Sequence, residues 1–217
     1  MSAVYGVDVD PTSDANSHYF TAEPTSTSRL NVIELVLPDV YLSLTTDSGV
    51  FSASRIDSGT RYLLQEHPSI DPATSNILDL GCGYGPIGLA AAIRAPNAQI
   101  WGLDVNTRAL QLASDNAVSN SISNVVFTTA TGIPPDIEFD LIISNPPIRI
   151  GKGALHELLR TWLERLTPDG KAWLVVQKHL GSDSLATWLT SQGWTTDRLG
   201  SRKGFRLLEV SAKDIQA

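Results

Sequence analysis

The sequence predicts an α/β fold: a seven-stranded, mostly parallel sheet with helices on both faces and an antiparallel last strand. Three observations carry this. From residue 76 onward, short aliphatic runs alternate with stretches of helical apolar spacing, the pattern of strands joined by crossover helices. A glycine-rich turn, "GCGYGPIG", follows the first of these strands, where a ligand-binding loop opens a helix. Only "GSRKG" separates the last two strand-like runs, too few residues for a parallel crossover, so they pair antiparallel.

Residues 1–28 are rich in Ser, Thr, Asp and Pro with no apolar period, and are expected to form a flexible N-terminal arm. In "RLNVIELVLPDVYLSLTTDSGVFS" two β-rich runs flank Pro38-Asp39, and Asp47-Ser48-Gly49 supplies the next turn, which predicts a hairpin over 30–45. A helix follows over about 58–67, stopped by Pro68. Residues 29–70 thus form an N-terminal hairpin and helix packed on a main domain of residues 71–217. In that domain "NILDL" is a strand and "GPIGLAAAIRA" a helix ended by Pro96. "AQIWGLDV" is a strand, and "TRALQLASDNAVS" has helical spacing at Ala109, Leu112, Ala113 and Val118. "NVVFTT" and "FDLIIS" are strands, and "LHELLRTWLERL" is an amphipathic helix closed by Thr167-Pro168-Asp169-Gly170. "AWLVVQ", "LATWLTSQG", "WTTDRL" and "FRLLEV" complete the series as strand, helix, strand, strand.

The 217 residues suit one domain with a small appendage, and 42% hydrophobic content suffices for a core. There is no apolar run of 18 residues, so no membrane span is expected. The first residues lack the basic and apolar regions of a signal peptide, and a cytoplasmic protein is the simplest reading. Cys82 is the only cysteine, which excludes an intrachain disulfide and gives no support to a structural zinc. The formal charge of −7 argues against a general nucleic-acid binder. It is unevenly placed. Residues 1–145 hold 5 Lys/Arg and 16 Asp/Glu, a net of 5 − 16 = −11, whereas residues 146–217 hold 11 and 7, a net of 11 − 7 = +4. A local basic surface in the last third stays open beside the plainer reading of ordinary solvated charges.

Gly83, Gly85 and Gly88 spell G-x-G-x-x-G, and Asp104 lies 21 residues after Gly83 at the end of the next strand, where a ribose-binding acid belongs. Asp79, immediately before the glycines, does not suit a pyrophosphate but attracts a cationic amino-acid head group. Asp104, followed by Val105-Asn106, can accept hydrogen bonds from ribose hydroxyls. A ligand with ribose at one end and a positively charged methionine at the other is S-adenosylmethionine.

These motifs resemble those of class I S-adenosylmethionine-dependent methyltransferases, which have a Rossmann-like fold. "LDLGCGYG" is similar to the first glycine motif, "GLDVN" to the ribose-binding acid, and "SNPPI" to the motif of enzymes that methylate amino groups conjugated to a ring or carbonyl. "LTTDSGVFS…IDSGTRYLL", "NPPIRIGKGALHELL" and "KGFRLLEV" resemble the methyltransferase small-domain family, which includes the 16S ribosomal RNA guanine-N2 methyltransferases of the C type. The likeness spans roughly residues 18–210. It implies that Asp79, the loop residues Gly81, Cys82, Gly83 and Gly85, the run Asp104-Val105-Asn106, and Asn145 line the cofactor site. Asp57, Gly59 and Thr60 of "DSGT" would lie against the methionine end. The family often places an acid directly after the third strand, and "TTATGIPPD" has none at that point, which moves the adenine contacts to Ala130 or nearby backbone. Ile148 replaces the Tyr or Phe of many amine methyltransferases, and packs on a target base without π-stacking.

Asn145-Pro146-Pro147 is the expected catalytic element, with Ile148 beside it. Adjacent prolines end a strand, because neither has an N–H to donate, and Asn145 before them is held extended. The Asn145 side-chain oxygen and the Pro146 carbonyl can each accept an N–H from one amine, orient it, and stabilise charge that grows on nitrogen. Arg149 and Lys152 can meet phosphate. His156 either holds substrate or makes an ordinary hydrogen bond on its helix, and Tyr19 and Phe20 either stack on a base or anchor the arm. Cys82 is expected as a small filler. The expected partner is ribosomal RNA or the small ribosomal subunit, with a protein glutamine or a small-molecule amine as the alternative substrate and a non-catalytic binding module as the third reading.

Overall fold

The computed structural model describes residues 27–213. A hairpin comes first, β1 (Leu30–Val36) and β2 (Tyr41–Asp47), antiparallel with Leu30 opposite Asp47. The Leu37 N–H donates to the Val40 carbonyl across its turn at 2.8 Å. Its inward residues Ile33, Leu35, Leu42 and Leu44 are buried, as the two-residue period of strands requires. The hairpin runs two residues past the expected end because Asp47 still pairs, and its carboxylate accepts the N–H groups of Arg29 and Ser48. Helix α1 (Ser58–Glu66) follows, capped by Asp57 and ended at His67, before Pro68.

The remaining elements alternate. They are β3 (Asn76–Leu80), α2 (Pro86–Arg94), β4 (Gln99–Leu103), α3 (Thr107–Ser119), β5 (Val125–Thr128) and β6 (Phe139–Ser144), then α4 (Lys152–Leu163), β7 (Leu166–Gln177), α5 (Ser182–Ser191), β8 (Thr195–Arg202) and β9 (Phe205–Ser211). The sheet order is β5-β4-β3-β6-β7-β9-β8. Every pair is parallel except those of the last strand, β9, which runs antiparallel to β7 and β8. One face packs Ile77, Ile100, Leu141, Ile143, Val175 and Leu207 under α1, α2, α3 and the hairpin. The other packs Leu78, Leu80, Ile142, Leu174 and Leu208 under α4 and α5. Connections leave β3 toward the first face and β6 toward the second, so a crevice opens at the carboxyl ends of these neighbours, where open α/β sheets bind ligands.

Helix α4 ends at Leu163, earlier than its amphipathic pattern suggests, and Leu166 already pairs with Phe139. Thr167–Gly170 is an irregularity within β7 rather than a turn before it. The chain folds back so tightly there that a Cβ on Gly170 would sit 2.8 Å from the Phe139 carbonyl and 2.9 Å from the Thr167 backbone.

The hairpin is docked by asparagine side chains of α3 that act as a strand partner. The Asn116 amide accepts the Thr45 N–H at 2.7 Å and donates to the carbonyls of Thr45 at 2.9 Å and Tyr84 at 3.0 Å. One turn on, Asn120 accepts the Ser43 N–H at 3.1 Å and donates to the Ser43 carbonyl at 2.9 Å. Four helical residues rise about 6 Å and two strand residues about 6.6 Å, so the amides match alternate peptides of β2 and satisfy its outer edge. Asn116 is buried and Asn120 is not. Replacing Asn116 with Ala strands buried polar groups and is expected to cost about 2–4 kcal/mol in urea unfolding, against less than about 1 kcal/mol for Asn120→Ala. Equal costs would contradict this.

Candidate active site

The glycine loop joins β3 to α2 and folds over the end of β4. The N–H groups of Gly81 and Cys82 donate to the Leu103 carbonyl at 2.8 and 2.9 Å, and Gly83 N–H donates to Asp104 Oδ2 at 2.9 Å. Gly83 has φ +55° with open space where a side chain would start, and at Gly85, φ +93°, a Cβ would meet the Phe127 ring at 3.0 Å. Only glycine fits both the left-handed backbone and the approach of a ligand or ring. Asp104 Oδ1 accepts the Asn106 N–H at 2.9 Å. Burial raises the Asp104 carboxyl above its usual range, opposed by the N–H groups of Asn106, Gly83 and Val105. These N–H groups fix the carboxylate at the pocket wall, and a carboxylate has acceptor capacity beyond them. Asn106 itself is committed, since its side chain caps α3 through Ala109 N–H and donates to the Gly49 carbonyl at 3.0 Å.

Asp79 stands on the α2 face of β3, fully buried, with Oδ2 accepting Gly88 N–H at 2.7 Å and Oδ1 without a partner among the described residues. Burial pushes its carboxyl up to about 8, opposed by the Gly88 N–H and reinforced by Asp104. The Cys82 thiol is also buried and pushed up by burial, the state of a small filler.

At the end of β6, Ser144 Oγ donates to the Leu80 carbonyl at 2.6 Å and pins β6 to β3. Asn145 comes next. Its Nδ2 donates to Asp57 Oδ2 at 2.9 Å and to Thr60 Oγ1 at 3.1 Å. The same Asp57 oxygen accepts Gly59 N–H at 2.8 Å and Thr60 N–H at 3.1 Å. Pro147, at φ −75° and ψ 72°, is the centre of an inverse γ-turn in which Ile148 N–H donates to the Pro146 carbonyl at 2.8 Å. One lone pair of that carbonyl is therefore already in use, and one is left.

These segments meet around a cavity of about 670 Å³ at the crest of the sheet, a size suited to a cofactor. Its wall includes Gly81, Cys82 and Gly83, Asp104, Val105 and Asn106, Ala130, Asp57 and Thr60, and Asn145 through Arg149. Several expected residues lie elsewhere. Gly59 is packed behind the wall, where a Cβ would sit 2.8 Å from the Phe205 ring. Asp79 and Gly85 support the loop from beneath. Lys152 is exposed at the start of α4, and His156 stacks on Trp188 of α5 with centroids 3.7 Å apart. Burial and then Lys152 and Arg160 depress the His156 imidazole. Tyr19 and Phe20 lie outside the described residues. The sequence reading missed Phe51, Gln177 and Leu180 on the wall. Phe51 stands in the "GVFS" segment, but nothing local marks an exposed aromatic there as a pocket residue.

The methyltransferase small domain model matches residues 41–209. The chain belongs to that family. It is a family of S-adenosylmethionine-dependent methyltransferases. YbxB of Bacillus subtilis, an uncharacterized protein, is 33% identical over 90% of this chain and 98% of its own length. Ribosomal RNA small subunit methyltransferase C of Haemophilus influenzae strain Rd is 42% identical over 61% of this chain and 41% of its own. Among solved structures, the T. thermophilus 16S rRNA N2 G1207 methyltransferase (RsmC), in complex with AdoMet and guanosine, superposes with a TM-score of 0.73 at 20% identity, over 86% of this chain and 52% of that one. The chain thus spans about half the length of these two ribosomal RNA enzymes.

Asp79 yields a signed prediction. Its folded pKa lies above the ordinary 3.8, so ionisation is disfavoured in the fold. The Asp79 contribution to stability should fall as pH rises from about 4 to about 8 and then level. Ligand-free Asp79→Asn should exceed wild type by on the order of a few kcal/mol at pH 8 and by little at pH 4. Urea unfolding across that range checks it, and parallel profiles would contradict it.

Proposed function

We propose that this chain transfers a methyl group from S-adenosylmethionine to the exocyclic N2 amine of a guanine in ribosomal RNA. The observation that carries this is the fixed amide of Asn145. With both its N–H groups donated to Asp57 and Thr60, its Oδ1 is the end left for a ligand. Beside it stands the Pro146 carbonyl with one lone pair in hand. Together they form a double acceptor on one side of the pocket.

The residues on the wall suit the cofactor. Asp104 takes the ribose hydroxyls, Val105 and Ala130 flank the adenine, and the glycine loop holds the methionyl end. The cofactor supplies the activated methyl, so the protein's work is orientation and charge stabilisation. An exocyclic amine on guanine is a weak nucleophile because its lone pair is delocalised into the ring. Two acceptors on one –NH₂ turn it toward the methyl and stabilise positive charge as the N–C bond forms. The prolines hold the acceptors still. No strong base is required, since the alkylated nitrogen is acidic and its proton leaves to water. Ile148 offers the base an apolar surface rather than a stacking ring, and Phe51 and Leu180 extend that surface at the mouth, 46% and 39% exposed.

The target class is supported by charge and by kinship. Lys178 N–H donates to the Gly204 carbonyl at 2.7 Å, which brings the turn after β7 against the β8–β9 turn carrying Arg202 and Lys203. Arg149 lies on the pocket wall. Arg202 is paired with Glu66 at 2.9 Å, so Lys178, Lys203 and Arg149 are the cations that the basic last third brings to the crest, where a phosphate chain would pass. The Haemophilus and T. thermophilus relatives are named as ribosomal RNA methyltransferases.

Methyl transfer from labelled S-adenosylmethionine to ribosomal subunits, with RNA and protein fractions separated and nucleosides analysed, tests the reading. N2-methylguanosine is the expected product, and label in protein would overturn it. Asn145→Ala should lower turnover about 10²-fold or more with cofactor binding retained. RNA affinity should fall steeply with salt, and Arg149→Gln and Lys203→Gln should each flatten that slope by roughly 0.7.

A further inference from the structure

Asn145 is the reacting end of the site, but its conformation is set elsewhere. A side-chain amide at the end of a strand has two terminal orientations, and only one presents oxygen to a ligand. Here the choice is forced. Asp57 Oδ2 already accepts the N–H groups of Gly59 and Thr60, so it faces Asn145 as an acceptor and the end of Asn145 turned to it must be the nitrogen. Thr60 Oγ1 takes the second proton of that nitrogen.

We propose that Asp57 and Thr60 are positioning residues for methyl transfer, fixing the Asn145 rotamer and strengthening its oxygen as an acceptor. This rests on the reading of Asn145 given above. Three features carry it. First, one oxygen of Asp57 receives the Asn145 amide and the two N–H groups that open α1. The amide is therefore referenced to a helix, not to a loop. Second, that helix start cannot shift. A Cβ on Gly59 would sit 2.8 Å from the Phe205 ring of β9, so no side chain fits there, and Thr60 is 5% exposed. The end of β6, the start of α1 and the start of β9 are thus locked together. Third, a carboxylate donating electron density through N–H···O polarises the amide, so its Oδ1 carries more negative charge and meets a developing ammonium better. No proton is transferred along this chain. The carboxylate acts through the amide, and the amide touches the amine.

The test uses the full chain and labelled cofactor with its RNA substrate. Thr60→Val deletes the hydroxyl with little change in volume. Asp57→Ser keeps a residue that caps a helix well but shortens the side chain away from Asn145. Each should lower kcat about tenfold or more, with cofactor Kd and RNA KM changed less than about threefold, and Thr60→Ser should recover the wild-type rate. In an Asn145→Ala background both changes should be silent, because the group they orient is gone. A purely structural role would instead add its loss in that background. Wild-type kcat in Thr60→Val, or a loss that persists beside Asn145→Ala, overturns the proposal while leaving the proposed function standing. Wild-type turnover in Asn145→Ala alone overturns the reading of the site itself. If Asp57→Ser fails to fold, Thr60→Val decides.

Discussion

One carboxylate oxygen organises the crest of this protein. Asp57 Oδ2 accepts three N–H groups, two from the first turn of α1 and one from the side chain of Asn145. A charged acceptor with three donors is among the stronger hydrogen-bonding arrangements in a protein. It joins segments 88 residues apart in the chain. The sheet supplies the two strand ends, β3 with its glycines and β6 with its prolines. The hairpin-and-helix segment supplies the carboxylate that fixes what β6 presents. The N-terminal segment is therefore not an appendage to a finished domain but part of the site's wall.

The charges divide along the same line. Asp57 and Asp104, from the acidic first part of the chain, line the pocket beside the glycine loop, while Asp79 lies buried beneath it with its carboxyl pushed up by burial. From the basic last part, Arg149 stands on the pocket wall and Lys178 and Lys203 follow the ends of β7 and β8, while Lys171, Arg202, Arg206 and Lys213 are engaged in ion pairs elsewhere. Under the proposed function, a cationic cofactor and a polyanionic RNA would meet opposite signs in one crevice. The overall charge of −7 hides this, because it sums two regions with different tasks.

Much of this was legible in the sequence, for identifiable reasons. The aliphatic strand cores, the glycine turn and the short last connection are local signals, and they led to the sheet, its crevice and its antiparallel last strand. The Asn-Pro-Pro run marked its own place because proline geometry is local. What could not be read depends on side chains meeting across the fold. Asp57 was legible as part of "DSGT", but its bond to Asn145 was not. Asn106 read as lining the cofactor site and does stand on the pocket wall, but the sequence did not show that its amide is spent on capping α3 and holding Gly49. The Pro146 carbonyl read as a free acceptor, but the Pro147 γ-turn already uses one of its lone pairs. His156 left two roles open, and its ring lies on Trp188. In each case the residue type fixed the chemistry available, and a neighbour distant in sequence decided where it was spent.

The most direct measurement is a crystal structure of the chain with S-adenosylhomocysteine and guanosine. The account requires the guanine N2 amine within about 3 Å of both Asn145 Oδ1 and the Pro146 carbonyl, with Asn145 Nδ2 still on Asp57 and Thr60. A bound guanine whose amine points away from Asn145, or an Asn145 amide that has left Asp57 to turn its nitrogen toward the base, would contradict it.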